Sequence, residues 1–242
     1  MPQNRLVKQS YSDIAAEYYD RKLHPTSANF RTASKYFIKT IIEHIVHPQL
    51  CTFLEVGAGQ AVSAEIFQEI NLPLSNLIIT DLHQSMLAYS DHLVADGAKL
   101  EISDAQKIYH RFDNLDYIIS SLGDPYNTTD FWTSTYKALK IGGHCIFTTP
   151  SLEWSVRFRE ISQSGDMHHA HFILQDGTKV NGPSLINSVE EQIDVVAKAG
   201  FSVIQYDQIF LKDIPGSISP KLVSDNGDDL PVITGYVFKK TN

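Results

Sequence analysis

The chain has 242 residues, with 20 basic and 28 acidic side chains and a formal charge of −8. Its length and an apolar content of 43% suffice for one α/β domain with a substantial core. That acidic balance, without any basic run, argues against a nucleic-acid partner, because phosphate binding relies on clustered Lys and Arg.

The first 13 residues lack the apolar core of a signal peptide, and no apolar run approaches the roughly 20 residues needed to span a bilayer. Cys51 and Cys145 lie in apolar, strand-like segments and read as buried structural thiols. The expectation is a cytoplasmic protein without a membrane partner.

Residues 28–46 carry Phe30, Tyr36, Phe37, Ile41, Ile42 and Ile45 at helical spacing, and Pro48 closes the segment. Residues 52–56 predict a strand, followed by a glycine-rich turn and a helix over 61–70. A second strand over 77–80 ends at Asp81, a helix covers 83–95, and Gly97 stops it. Residues 99–102 and 117–121 predict the third and fourth strands. A helix over 129–139, a turn at Gly142-Gly143 and a fifth strand over 144–149 follow. Strands alternating with helices indicate crossover units and a parallel sheet, whose ligands sit beyond the carboxyl ends of the strands.

After Pro150 the rhythm changes. Segments 170–174 and 178–180 flank Asp176-Gly177, a hairpin signal. Residues 188–199 predict a helix with Ser188 as N-cap, Glu190 and Glu191 in its first turn and Gly200 past its end. Long strands over 201–211 and 232–239 are expected to close the sheet as an antiparallel pair.

Three carboxylates, Glu55, Asp81 and Asp104, stand at the ends of successive predicted strands. Gly57 and Gly59 permit positive φ and close approach of a ligand to bare backbone, and the helix behind them points its free N–H groups into the same space. Asp81 suits a ribose diol and would repel a 2′-phosphate. Asp104 suits an adenine amino group, and Glu55 a cationic group or a water network beside the turn. Taken singly, each has a structural reading: a tight turn, or a helix N-cap. A dinucleotide-binding turn fits poorly, since its third glycine would fall at Val62.

Glu55-x-Gly57-x-Gly59, Thr80-Asp81-Leu82-His83-Gln84-Ser85-Met86-Leu87 and Ser103-Asp104-Ala105 resemble the first three motifs of class I S-adenosylmethionine-dependent methyltransferases. Residues 115–120 resemble that family's fourth-strand entry, and Leu139-Lys140-Ile141-Gly142-Gly143-His144 its turn before the fifth strand. One departure is Ala61 where the third glycine usually stands. The resemblance implies a Rossmann-like α/β fold with a seven-stranded, mostly parallel sheet, an antiparallel last strand, a helical N-terminal cap and a β-hairpin insertion. It implies a cap over 1–47, a cofactor-binding core over 48–150, a lid over 151–187 and completion of the sheet over 188–242.

By the same resemblance, Gly57, Ala58 and Gly59 run under the methionine part of S-adenosyl-L-methionine, and Glu55 faces its amino group through water. Asp81 holds the ribose hydroxyls, Leu82 and Met86 pack near the adenine, and Asp104 with Ala105 meets its edge. Ser120 and Ser121 line the wall beside the methionine chain. The segment from Tyr11 to Asp20 resembles the lead-in of many small-molecule methyltransferases, which makes Tyr11 and Tyr19 candidates to cover the cofactor and Tyr18 to meet the acceptor.

Three regions are candidates for the acceptor. Asp124-Pro125-Tyr126 faintly resembles the Asp/Asn-Pro-Pro-Tyr signature of amino-group methyltransferases, lacking its second proline, so Asp124 and Tyr126 are the catalytic candidates. His24 follows the N-terminal tyrosines closely. His169 and His171 would share one strand face with His168 opposite, and Trp154 with Arg157 or Arg159 would form another wall. No metal is called for.

The reading is methyl transfer to a small-molecule acceptor, as a monomer or homodimer. Its alternatives are a non-catalytic S-adenosylmethionine- or S-adenosylhomocysteine-binding module or subunit, and a protein or RNA methyltransferase.

Overall fold

The computed structural model describes residues 11, 14–158, 169–223 and 230–241. Its strands are β1 (Phe53–Glu55), β2 (Leu77–Asp81), β3 (Lys99–Ile102), β4 (Leu115–Ser120), β5 (Leu139–Pro150), β6 (His169–Ile173), β7 (Lys179–Pro183), β8 (Phe201–Phe210) and β9 (Pro231–Lys240). Seven of them form one sheet in the order β3-β2-β1-β4-β5-β9-β8, and β6 with β7 forms the separate hairpin. Strands β1 to β5 pair in parallel, while β9 runs antiparallel to both β5 and β8. This is the mostly parallel seven-stranded sheet expected.

The last strand in sequence is not the last in space. β9 inserts beside β5 and leaves β8 at the edge. Burial explains the order: the first eight residues of β9 are all buried, whereas the middle of β8 is exposed. A strand apolar on both faces takes the interior position, where both faces are covered.

The helices are α1 (Pro25–Glu43), α2 (Val62–Glu69), α3 (Gln84–Leu87), α4 (Thr129–Ala138), α5 (Leu152–Phe158) and α6 (Val189–Lys198). α1 buries Phe30, Phe37, Ile38 and Ile42 in one cluster with Phe53, Ile146 and Ile233 from the sheet. Each such side chain contributes about 1.5–3 kcal/mol on full burial. A Cβ on Gly235 of β9 would fall 2.5 Å from the Phe37 ring, so this glycine is what lets α1 seat closely. The helix expected within the cap is thus a wall of the core. On the opposite face Phe131, Trp132, Phe147, Phe201, Tyr236 and Phe238 pack together. α6 starts as expected: Ser188 and Glu191 form a reciprocal capping box.

Two local expectations need correction. The helix over 83–95 is one α-turn followed by a 3₁₀ stretch, Ala88–Val94, because the Ser90 hydroxyl donates to the Gly59 carbonyl at 2.6 Å and accepts from the Ala61 amide at 3.1 Å. Holding Ser90 against the glycine turn competes with regular helix there. The Gly142-Gly143 turn is absorbed into β5 beside a register shift between Leu115 and Tyr117. Gly142 sits at φ +80, and a Cβ on Gly143 would lie 2.9 Å from the Leu115 carbonyl, so both glycines serve a bulge within the strand.

Candidate functional site

The chain leaves β1 through Gly57 at φ +59 and Gly59 at φ +49, then enters α2. Glu55 is fully buried before the turn. Its carboxylate accepts from the amides of Val62 at 3.1 Å and Ser63 at 2.9 Å, and from the Ser63 hydroxyl. It therefore satisfies N–H groups that α2 would otherwise leave unpaired, with its charge at the positive end of the helix dipole. Burial pushes the Glu55 carboxyl up to about 7, while the hydrogen bonds from Ser63 and Val62 pull it down. Glu55 lies outside the set of cavity-lining residues: the structure turns it back onto α2 instead of toward a cationic ligand.

Asp81 bridges the end of β2 and the turn. One oxygen accepts from the Gly59 amide at 2.9 Å, the other from the His83 amide at 2.9 Å. The N-cap position of α3 is His83, so Asp81 holds the approach to that helix without capping it. Burial pushes its carboxyl up to about 6, opposed by the hydrogen bonds from His83, Gly59 and Leu82. One strand along, Asp104 accepts from the Gln106 amide at 2.9 Å and caps a 3₁₀ turn.

A cavity of about 640 Å³ opens beside these groups. Gly57, Ala58, Asp81, Leu82, Met86, Asp104 and Ala105 lie along its turn and strand-end side, with Ser121 beyond β4. Tyr11, Tyr18, Tyr19 and Tyr126 also line it. Tyr19 Oη accepts from the Gln60 amide at 2.9 Å, and a Cβ on Gly59 would collide with that phenol. Tyr126 Oη donates to the Val56 carbonyl at 2.9 Å and lies 3.1 Å from Ser120 Oγ. Burial is the main reason all four phenols are held well above their ordinary range. They are protonated at neutral pH and serve as walls and hydrogen-bonding groups, with no capacity as resting-state bases.

The segment after β4 is strained. Leu122, a cavity-lining residue, adopts φ +55, a left-handed conformation that costs a non-glycine residue roughly 1–3 kcal/mol. Its amide donates to Thr148 Oγ1 at 2.9 Å, Thr148 Oγ1 lies 2.7 Å from Ser34 Oγ, and Ser34 Oγ lies 2.7 Å from Ser121 Oγ. This hydroxyl chain ties α1 and β5 to the cavity wall and holds the strained turn in place.

Several expected residues are placed elsewhere. Asp124 is buried and accepts from the Ser184 hydroxyl, and its carbonyl accepts from the Leu185 amide at 2.8 Å. It fastens the 124–126 turn to the segment leaving β7, outside the cavity-lining set. Trp154 packs edge-on against Phe30, with ring centroids 4.7 Å apart, and donates to the Lys221 carbonyl at 3.3 Å. His24 Nε2 lies 3.6 Å from Glu17 Oε1. His169 and His171 share a face of β6, and His171 Nδ1 lies 2.6 Å from Asn181 Oδ1. None of these last four lines the cavity. His168, Arg159 and the Arg157 side chain lie outside the described residues.

Arg31 is one of the cavity residues that periodicity could not single out. Its guanidinium donates to the Gln60 carbonyl at 2.8 Å, pairs with Glu65 Oε1 at 2.6 Å and lies 6.0 Å from the centre of the Tyr19 ring. Helical spacing identified the apolar face of α1, but which polar residue meets the turn depends on how α1 docks.

No protein-family model matches the chain, and no curated protein matches it. Solved structures do. A chain described as a methyltransferase, in complex with the Trm112 methyltransferase activator of Haloferax volcanii, is 13% identical with a TM-score of 0.69, over 98% of each chain. An S-adenosylmethionine-dependent methyltransferase from Clostridium acetobutylicum is 14% identical with a TM-score of 0.60, over 96% of this chain and 99% of that one. A third, from Mesorhizobium loti, is 14% identical with a TM-score of 0.57, over 86% and 98%. The chain has the fold of class I S-adenosylmethionine-dependent methyltransferases.

Proposed function

We propose that the protein is an S-adenosylmethionine-dependent methyltransferase acting on a small-molecule acceptor. The observation that carries this reading is Asp81, a buried carboxylate that grips the Gly59 amide and still lines the cavity. The donor set fits the cofactor. Asp81 would accept from a ribose diol, Leu82 and Met86 offer apolar surface to a purine, and Asp104 would accept from its amino group. Gly57 and Ala58 would underlie the amino-acid end, with the Arg31 guanidinium, steadied by Glu65, beside its carboxylate.

When bound, S-adenosylmethionine supplies a methyl group on a positively charged sulfur. The chain's own contribution is alignment and exclusion of water. Tyr11, Tyr18 and Tyr126 line the cavity and would border the space left for the acceptor, where an aromatic ring face favours positive charge. A cavity of about 640 Å³ has room for the cofactor and one further small molecule. Glu55 acts as the scaffold of the turn, and Asp124 as a tie between the acceptor wall and the hairpin. Among the described residues no helix is long and apolar enough to cross a membrane. Both thiols, Cys51 and Cys145, are free.

Titration calorimetry with S-adenosylmethionine tests the reading directly. Binding with a dissociation constant below about 1 mM is expected, and heats indistinguishable from dilution at that concentration would overturn it. Incubation with methyl-labelled cofactor and fractionated metabolites then separates enzyme from binding module, by whether any small molecule acquires label.

A further inference from the structure

We infer that Glu17 is a positioning residue that fastens the β6–β7 hairpin to the tyrosines covering the glycine turn. The inference rests on the methyltransferase reading for what the cover encloses, but the contact itself is independent of it. The Gln175 amide, at the tip of the hairpin, donates to both Glu17 oxygens, at 3.1 and 3.2 Å. The Glu17 side chain is only 15% exposed, and its Oε1 also lies 3.6 Å from His24 Nε2. A carboxylate accepting a backbone N–H makes a charge-assisted hydrogen bond, roughly twice as strong as a neutral one.

The hairpin tip presents that amide because its turn does not use it. The Leu174 carbonyl accepts from the Gly177 amide at 2.9 Å, which places Gln175 second in a four-residue turn with its own N–H pointing out of the ring. Around this bond the rings are continuous. Phe172 of β6 lies 5.9 Å from Tyr18 and 6.4 Å from His24, Tyr18 lies 4.9 Å from Tyr19, and Tyr19 Oη receives the Gln60 amide. Glu17 immediately precedes this tyrosine pair. Its bond therefore holds the hairpin, the acceptor-side ring and the cofactor-side ring in one arrangement. Without it, Tyr18 and Tyr19 lose the support behind them, and ligands in the cavity are held less long.

The test compares wild type with Glu17→Gln, Glu17→Ala, Gln175→Pro and the double variant Glu17→Ala/Gln175→Pro. Proline is favoured at the second position of such a turn, so Gln175→Pro deletes the donated N–H while keeping the hairpin. Two readouts are used: amide hydrogen exchange across residues 170–178 without ligand, and the dissociation rate of S-adenosylhomocysteine. In Glu17→Ala, exchange at the hairpin tip and ligand dissociation should each rise about tenfold. Gln175→Pro should speed dissociation by a similar factor, and the double variant should be no faster than either single one, because both remove the same bond. Glu17→Gln keeps an acceptor oxygen but loses the charge, so both readouts should fall between wild type and Glu17→Ala. Unchanged exchange in Glu17→Ala, or additive effects on dissociation, overturns the inference. If wild type binds no S-adenosylhomocysteine, the functional reading fails on that arm, and exchange still decides whether Glu17 holds the hairpin.

Discussion

Tyr126 lies directly over Gly57: a Cβ on that glycine would fall 2.6 Å from the phenol oxygen, which itself donates to the Val56 carbonyl at 2.9 Å. The glycine thus serves two needs at once, the left-handed φ of the turn and the seating of a tyrosine upon it. Gly57→Ala should destabilise the chain by about 1–3 kcal/mol and displace Tyr126. Tyr126→Phe keeps the ring and loses only the hydroxyl contacts, for about 1 kcal/mol. Urea unfolding of the pair checks the ranking: equal losses would mean that the Gly57 backbone tolerates a side chain.

Asp81 is tied into the turn as well as aimed at the cavity, so its replacement carries two effects. Asp81→Asn retains one accepting oxygen and should keep most of the fold stability while weakening S-adenosylmethionine binding by about tenfold. Asp81→Ala releases the Gly59 and His83 amides together and should also lower the melting temperature. Calorimetry alongside thermal melts separates the two, and an unaltered affinity in Asp81→Asn would remove the ribose role.

Stability should fall as pH rises through the range set by Glu55 and Asp81. Their folded carboxyls are pushed up to about 7 and about 6, above ordinary values of 4.5 and 3.8. Over that interval the folded chain binds more protons than the unfolded one, and unfolding free energy declines with pH. The contribution is complete below the unfolded values and is lost as pH passes upward through 6 to 7. Melting temperatures from pH 5 to pH 8 should show this decline in wild type and a flatter profile in Glu55→Gln. Identical slopes in the two proteins would show that Glu55 ionises normally.

Arg31→Lys should weaken cofactor binding by about tenfold, because Arg31 meets the Gln60 carbonyl and Glu65 with the single nitrogen Nη2, and an ammonium held by the same two partners leaves no further planar N–H edge for the cofactor. Lys keeps a positive charge beside Glu65, so the cost in stability should stay below about 1 kcal/mol. Affinity and urea midpoint, measured on one preparation, decide between a binding role and a structural one.

Much of this architecture was legible because it is local. The acidic residues at the strand ends and the glycines between β1 and α2 follow from short patterns, and so does the Ser188–Glu191 cap. The edge order of the sheet was less so, although β9 carries no charged residue before Lys239 where β8 is interrupted by Gln205, Asp207 and Gln208. Ser90 escaped notice because its segment scans as a helix, and only its contact with Gly59 shows why the helix tightens.

The sequence by itself determined the alternation of strands and helices, the glycine turn and the two carboxylates, Asp81 and Asp104, that line the cavity. Periodicity and strand-end position are properties of neighbouring residues, and they survive without knowledge of packing. Tertiary structure alone decided where the longer-range side chains point. It turned Glu55 back onto α2, gave Asp124 to Ser184, and brought Tyr19 to Gln60 across 41 residues and Glu17 to Gln175 across 158. Such pairings are set by how α1 and the hairpin dock on the sheet, which depends on burial summed over the whole core and leaves no short-range mark in the chain.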